Sequence, residues 1–174
     1  MNTISFSIII PTYGREKVLW ESVFPILTQT DQQDEVLIID QNSPALAIPP
    51  AFRQNRVRVI HQTPPSLTRA RNRGISEARG THLLFLDDDI IPDKNLLIQL
   101  REATQKHPGC IIAGAVDQED TPDVEGIGYV NLKSGEIKTN YCFFFRNGSG
   151  FFCGLSFSAA RSQCSAAALF QSIL

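Results

Sequence analysis

The sequence predicts an α/β fold in which a mostly parallel sheet is flanked by helices. Short apolar runs alternate with longer segments whose apolar residues recur at helical spacing. One run, LLFL at residues 83–86, is continuous in apolar residues, as in a parallel strand covered on both faces. The composition, 43% hydrophobic and 20% charged, is typical of one globular domain, so we expect a single domain over residues 1–174.

The first half of the chain is predicted to contain three strands and two helices. The strands are expected at residues 4–10, 35–40 (EVLIID) and 56–61 (RVRVIH). The helices are expected at residues 16–29 and 66–79. Pro11 should end the first strand, Pro25 interrupts the first helical stripe, and Gly80 lies where the second helix should end.

The second half begins with the apolar strand at residues 81–86, which we expect to be central. Pro92-Asp93 should open a helix that runs to about residue 107, and residues 110–116 form the next predicted strand. Residues 129–139 have the pattern of a hairpin that turns at residues 133–135. Strands that alternate with helices in this way favour right-handed crossovers and a parallel sheet.

Three adjacent carboxylates, Asp87, Asp88 and Asp89, follow the predicted central strand. Ligands of open parallel sheets bind beyond the carboxyl ends of the strands. Three negative charges at that place repel one another unless they are solvated or neutralised by a cation. Oxygen ligands favour Mg²⁺ or Mn²⁺, whose remaining positions phosphate oxygens can fill. A helix N-terminus enriched in Asp is the alternative, and it suits Asp93 better than the triplet.

Two other predicted strands end in polar residues that should lie at the same edge. The first strand leads to Thr12, Tyr13 and Arg15, and the second ends at Asp40. An aromatic face can stack on a base, and a carboxylate can accept a hydrogen bond from a ring N–H. Each residue alone has an ordinary structural explanation, as a packed loop aromatic or a turn residue. Their joint placement at successive strand ends indicates a nucleotide site.

Four stretches in order, SIIIPTYGRE, LIIDQNS, ARNRGISEARG and LLFLDDD, resemble the nucleotide-binding half of family 2 glycosyltransferases, which have the GT-A (Rossmann-like) fold. The resemblance covers residues 5–108, with a looser match at residues 148–161. It implies a nucleotide-binding half at residues 1–116 and an acceptor-side portion at residues 117–174 that is incomplete.

The resemblance also implies roles for individual residues. Pro11, Thr12 and Tyr13 would line the base pocket, Asp40 would bind the base, and Arg15, Arg71 (or Arg69) and Asn72 would approach the nucleotide. Asp87 to Asp89 would be the D-x-D motif. Asp87 and Asp88 would lie near the ribose or sugar. Asp87 and Asp89 would be the metal ligands, with Asp89 the main one. The expected ligands are a nucleoside-diphosphate sugar, a UDP-sugar being favoured, and Mn²⁺ or Mg²⁺. The expected reaction is inverting transfer to an acceptor hydroxyl of a glycan, a lipid or another compound.

The catalytic base expected from the resemblance is missing. It usually lies on an acidic motif after the segment that matches SFSAAR, but residues 137–174 contain no Asp and no Glu. We therefore expect either a transferase or a truncated nucleotide-sugar-binding domain with little or no activity. A nucleotidyltransferase is disfavoured because PTYGRE has a single Gly, and a receiver domain because the last third is aromatic and Gly-rich.

Charge and cysteine content exclude other classes. The formal net charge of -2 gives no basic surface for nucleic acid. The four cysteines form no C-x-x-C pair, the N-terminus lacks the pattern of a secretion signal, and every apolar run is too short to cross a bilayer. We expect a cytoplasmic protein with buried or free thiols and no membrane span.

Overall fold

A computed structural model describes residues 4–53, 56–106 and 112, together with the backbone of residues 129–130, 137–138 and 158–160. The helices are α1 (Glu16–Leu27), α2 (Leu67–Glu77) and α3 (Leu96–Lys106), with a short 3-10 turn at Pro50–Phe52. The strands are β1 (Phe6–Thr12), β2 (Glu35–Asp40), β3 (Val57–His61), β4 (His82–Phe85), β5 (Tyr129–Val130), β6 (Ile137–Lys138) and β7 (Ser158–Ala160).

The main sheet has the strand order β3-β2-β1-β4-β7. The first four strands are mutually parallel, and β7 is antiparallel to β4. In register, Thr12 is opposite Asp40, and Asp40 is opposite His61. The carboxyl ends of β1 to β4 therefore meet at one edge of the sheet, which we call the site edge. This confirms the predicted α/β class and the mostly parallel sheet.

Helices cover both faces of the sheet. On one face, α1 and α3 pack against a cluster that includes Ile8, Ile38 and Leu84. On the other face, α2 packs against a cluster that includes Ile9 and Leu83. Every residue of β1 and β2 is buried, which explains why these strands are apolar on both faces rather than alternating.

Helix α2 lies very close to the sheet because Gly74 has no side chain. A Cβ at this position would lie 2.3 Å from Cγ2 of Ile9, which is fully buried. Glycine therefore permits a helix-to-strand distance that no other residue would allow. The close packing brings the face of α2 that carries Arg71 to the end of β4.

Several predicted boundaries require correction. Strand β1 does not end before Pro11 but continues to Thr12. Pro11 is opposite Ile39 of β2, but it lies beyond Ile9, the last residue of β1 that pairs with β4. Its missing N–H therefore interrupts no pairing with β4. Helix α3 begins at Leu96 and not at residues 92–93, because Asp93 first caps a turn by accepting from the N–H of Asn95 at 2.7 Å.

The remaining predictions of secondary structure concern residues described only in part. The two strands expected of the hairpin are antiparallel partners, β5 with β6, while its turn lies outside the described residues. Of the strand predicted at residues 110–116, only Ile112 is described. None of the helices in the described part of the chain is long and apolar enough to cross a membrane.

Candidate nucleotide-binding site

The site edge carries the residues that the sequence analysis proposed. Tyr13 and Arg15 follow β1, Asp40 ends β2, and Asp87 to Asp89 follow β4. Arg71 approaches from α2 and contacts Asp87. Polar side chains from strands and a helix that are far apart in sequence therefore meet at one edge of the sheet.

Asp88 is held in place by the protein itself. Its Oδ2 accepts a hydrogen bond from the Thr12 hydroxyl at 2.7 Å, and its Oδ1 lies 3.3 Å from the Arg15 guanidinium. Its backbone carbonyl accepts from the Ser22 hydroxyl of α1 at 3.1 Å. Only 7% of the residue is exposed, so Asp88 joins the end of β4 to β1 and α1.

The flanking carboxylates are accessible. The side chains of Asp87 and Asp89 are 45% and 48% exposed. Asp87 accepts from the Arg71 guanidinium at 3.2 Å, and Asp89 pairs with the guanidinium of Arg15. Two arginines thus offset much of the repulsion among the three carboxylates, in addition to the solvation or metal ion expected from the sequence.

The acidic residues meet the chemical requirements of a hard divalent cation in part. No group of three Asp, Glu, His or Cys converges on one point among the residues that the structure describes. Mg²⁺, however, commonly takes only one or two protein carboxylates and completes its shell with phosphate and water oxygens. The half-exposed carboxylates of Asp87 and Asp89 fit that smaller requirement.

Asp40 is fully buried at the end of β2. Its carboxylate accepts from the N–H of Leu46 at 2.7 Å, from the N–H and side chain of Asn42 at 2.9 and 2.7 Å, and contacts His61 at 3.2 Å. Burial alone would raise the pKa of Asp40, but these hydrogen bonds outweigh it and hold the pKa below its ordinary value. Asp40 is therefore ionised at neutral pH.

The turn after β1 exposes an aromatic ring. Tyr13 is 60% exposed, whereas Pro11 and Thr12 beside it are buried. Gly14 has a φ of 73°, a conformation that glycine adopts without strain, and its N–H donates to Oδ1 of Asn42 at 2.6 Å. This bond fixes the turn against the end of β2 and leaves the tyrosine ring open to a ligand.

Asn72 follows Arg71 on α2 and is half-buried. Its Oδ1 atom is inaccessible to solvent and has no hydrogen-bond partner within the described residues. A buried acceptor without a partner is unfavourable, so this amide is a candidate for contact with a ligand group. Arg69, the alternative to Arg71, is exposed near the start of the same helix.

Sequence reasoning did not identify four polar residues that organise this edge: Ser22, Gln41, Asn42 and His61. Oε1 of Gln41 accepts from the N–H of Ser66 at 2.7 Å, and the Gln41 N–H donates to the Thr12 carbonyl at 3.1 Å. His61 and Asp40 are opposite each other in the sheet. Aligning the predicted ends of β2 and β3 would have identified His61 as a residue of this edge.

Comparison with known protein families gives a match over most of the chain. The model of the glycosyl transferase family 2 matches residues 7–163, which is most of the chain. The chain belongs to glycosyl transferase family 2. The match includes β2 to β4, all of β1 except Phe6, and the site edge, and it confirms the resemblance inferred from the four sequence stretches.

Relatives of this family 2 chain come from several bacteria. It is 32% identical over 129 residues to the glycosyltransferase GlyG of Streptococcus pneumoniae, covering 71% of this chain and 43% of that protein. It is 34% identical over 105 residues to the uncharacterized glycosyltransferase EpsJ of Bacillus subtilis, covering 58% and 30%. The chain therefore spans less than half the length of these relatives.

Solved structures share the fold. A crystal structure of S. aureus TarS, residues 1–349, superposes with a TM-score of 0.56 at 20% identity, covering 70% of this chain and 38% of that one. A second crystal structure of the same TarS segment, in complex with UDP, gives a TM-score of 0.55 at 19% identity, with the same coverage. At this level of identity, the similarity supports the GT-A fold.

Proposed function

We propose that this chain binds a nucleoside-diphosphate sugar, with a UDP-sugar favoured, at the site edge and that it acts in transfer of the sugar to an acceptor hydroxyl. One observation carries the proposal: three carboxylates, two guanidinium groups and an exposed tyrosine meet at the carboxyl ends of parallel strands. Membership in family 2 supports the reaction class, and the UDP complex of TarS supports the choice of nucleotide.

Each group has a chemical role that suits a nucleotide sugar. The Tyr13 ring offers a face on which a base can stack, while Pro11 and Thr12 form the buried floor beside it. The guanidinium groups of Arg15 and Arg71 can donate charge-assisted hydrogen bonds to diphosphate oxygens. Asn72 lies next to Arg71 and can donate to the nucleotide or accept from it.

Asp87 and Asp89 would hold Mg²⁺ or Mn²⁺ together with diphosphate oxygens. When bound, the cation supplies positive charge that stabilises the departing nucleoside diphosphate. Asp88 keeps the acidic segment in position through Thr12 and Ser22. The proposed transfer is inverting: the acceptor hydroxyl attacks the anomeric carbon from the face opposite the diphosphate. The bond from that carbon to the diphosphate oxygen breaks as the nucleoside diphosphate leaves, and the hydroxyl proton passes to a general base.

Binding and transfer can be separated experimentally. Calorimetric titration of UDP, with and without Mn²⁺, should give metal-dependent binding to the wild type and metal-independent, weaker binding to Asp89→Ala. Glu102→Gln is a matched control, because Glu102 is an exposed carboxylate on α3 that lies away from the site edge. The neighbouring Arg101 contacts Ile4 and Asp34 at the opposite edge of the sheet. Equal affinity of the wild type for UDP in Mn²⁺ and in excess chelator would contradict the metal role.

A second candidate function is donor binding with little or no transfer. It is favoured by the absence of Asp and Glu from residues 137–174, because the family resemblance puts the catalytic base on an acidic motif after the segment that matches SFSAAR. General-base assistance contributes roughly 10²- to 10⁴-fold in rate. Sugar transfer and donor hydrolysis by this chain, compared with a full-length relative, decide between the two: comparable turnover would exclude the second candidate.

A further inference from the structure

The carboxylate of Asp40 has no capacity left for a ligand. An ionised carboxylate offers about four lone-pair sites. Here Oδ1 accepts from the backbone and side chain of Asn42, and Oδ2 accepts from Leu46 and contacts Nδ1 of His61. The side chain is also 0% exposed. A base could form a hydrogen bond with Asp40 only if one of these bonds were first broken.

His61 is the exposed end of this group of hydrogen bonds. It is the last residue of β3, and its side chain is 42% exposed. Because an ionised carboxylate can only accept, Nδ1 of His61 must donate in the 3.2 Å contact. A neutral imidazole that carries its proton on Nδ1 has its lone pair on Nε2. When the imidazole is neutral, Asp40 therefore selects the tautomer that leaves Nε2 as a hydrogen-bond acceptor at the site edge.

We infer that Nε2 of His61 accepts the hydrogen bond from the N3–H of a uracil base, with Asp40 as a positioning residue that acts through it. The inference rests on the proposed function and deepens it by naming the group that selects the base. The Nε2 lone pair of His61 would distinguish uracil from cytosine. Uracil presents a donor at N3, whereas cytosine presents an acceptor there, which would face the lone pair and be repelled.

The spacing of the strands is compatible with this contact. Tyr13 follows β1 and His61 ends β3, and these strands flank β2. Neighbouring strands are about 4.8 Å apart, so the ends of β1 and β3 are separated by roughly 10 Å. A pyrimidine ring together with one hydrogen bond spans a similar distance. A base stacked near Tyr13 can thus extend over buried Asp40 to reach His61.

The test compares UDP with N3-methyl-UDP, which lacks the N3–H, by calorimetry in Mn²⁺. Wild-type protein should bind UDP about 5- to 100-fold more tightly than the methylated analogue, the usual effect of losing one hydrogen bond and leaving its partner unpaired. His61→Ala should weaken UDP binding and remove most of this preference. His61→Gln keeps an acceptor oxygen on the side chain and should retain part of it.

Further variants separate positioning from folding. Asp40→Asn should lose the preference for UDP over N3-methyl-UDP while it retains a cooperative unfolding transition. His82→Gln is the matched control, since His82 begins β4 at the opposite edge of the sheet, and it should keep the wild-type preference. A preference retained in full by His61→Ala, or absent from the wild type, would overturn the inference and leave the proposed function intact. Absence of UDP binding to the wild type would overturn both.

Discussion

Substituting Arg15 with Gln should change the affinities for Mn²⁺ and for UDP in opposite directions. The Arg15 guanidinium pairs with Asp89 and lies 3.3 Å from Asp88. The side chains of Arg15 and Asp89 are 53% and 48% exposed, so this pair is a surface ion pair. A surface ion pair contributes about 0.2–1 kcal/mol, which corresponds to as much as about fivefold in an equilibrium constant.

Without nucleotide, a metal ion must compete with Arg15 for the Asp89 carboxylate. Arg15→Gln should therefore bind Mn²⁺ up to about fivefold more tightly than the wild type, the full value of the lost pair. With UDP the effect reverses, because the variant lacks a charged donor to the diphosphate. Hydrogen bonds to charged groups contribute about 1.5–3 kcal/mol, so UDP affinity in Mn²⁺ should fall roughly 10- to 150-fold.

Electron paramagnetic resonance of free Mn²⁺ measures the first effect, and calorimetry with UDP at saturating Mn²⁺ measures the second. Lys17→Gln is the control, because Lys17 is a nearby cation on α1 whose ion pair is with Glu21. It should change both affinities little. Weaker Mn²⁺ binding to Arg15→Gln without nucleotide would refute the competition, and unchanged UDP affinity would remove Arg15 from the diphosphate site.

Three other perturbations have defined outcomes. Asp89→Ala should abolish the Mn²⁺ dependence of UDP binding in calorimetry, whereas persistent dependence would exclude Asp89 as a metal ligand. Gly74→Ala should lower the free energy of unfolding, measured by urea denaturation, by about 1–3 kcal/mol, because the new methyl group overlaps Ile9. An unchanged free energy of unfolding would mean that α2 can shift away from Ile9. Asp40 has a depressed pKa in the folded state, so its contribution to stability is present above its ordinary value of 3.8 and is lost as the pH falls through the folded value. Asp40→Asn should therefore flatten the acid limb of the stability profile, and an unchanged limb would contradict this.

The sequence allowed the fold to be predicted because its local signals agree with its tertiary structure. The apolar runs at β1, β2 and β4 are buried on both faces, and the polar residues after them mark the strand ends. The boundary errors arose where tertiary context replaced a local signal. Proline usually ends a strand, but Pro11 lies beyond the last residue of β1 that pairs with β4. This position becomes apparent only once the order and register of the strands are known.

The candidate site was predictable in its residues and not in its contacts. Asp40 and Asp88 were chosen as possible ligand-binding groups, but the structure shows both carboxylates buried and bonded to the protein. The partners of the Asp88 carboxylate, Thr12 and Arg15, are more than 70 positions away in sequence. Such pairings depend on strand register, which the periodicity of a single segment does not determine. His61 was overlooked for the same reason.

The central position of β1 determines how firmly the site is held. β1 is paired with β2 on one side and β4 on the other, and all of its residues are buried. Backbone amides of such a strand exchange with solvent only in the rarest openings of a protein, those that approach global unfolding. The turn that bears Tyr13 and Arg15 continues directly from this strand. We therefore expect this turn to start from the most slowly exchanging part of the sheet, so that a nucleotide that binds there need not order a loose segment.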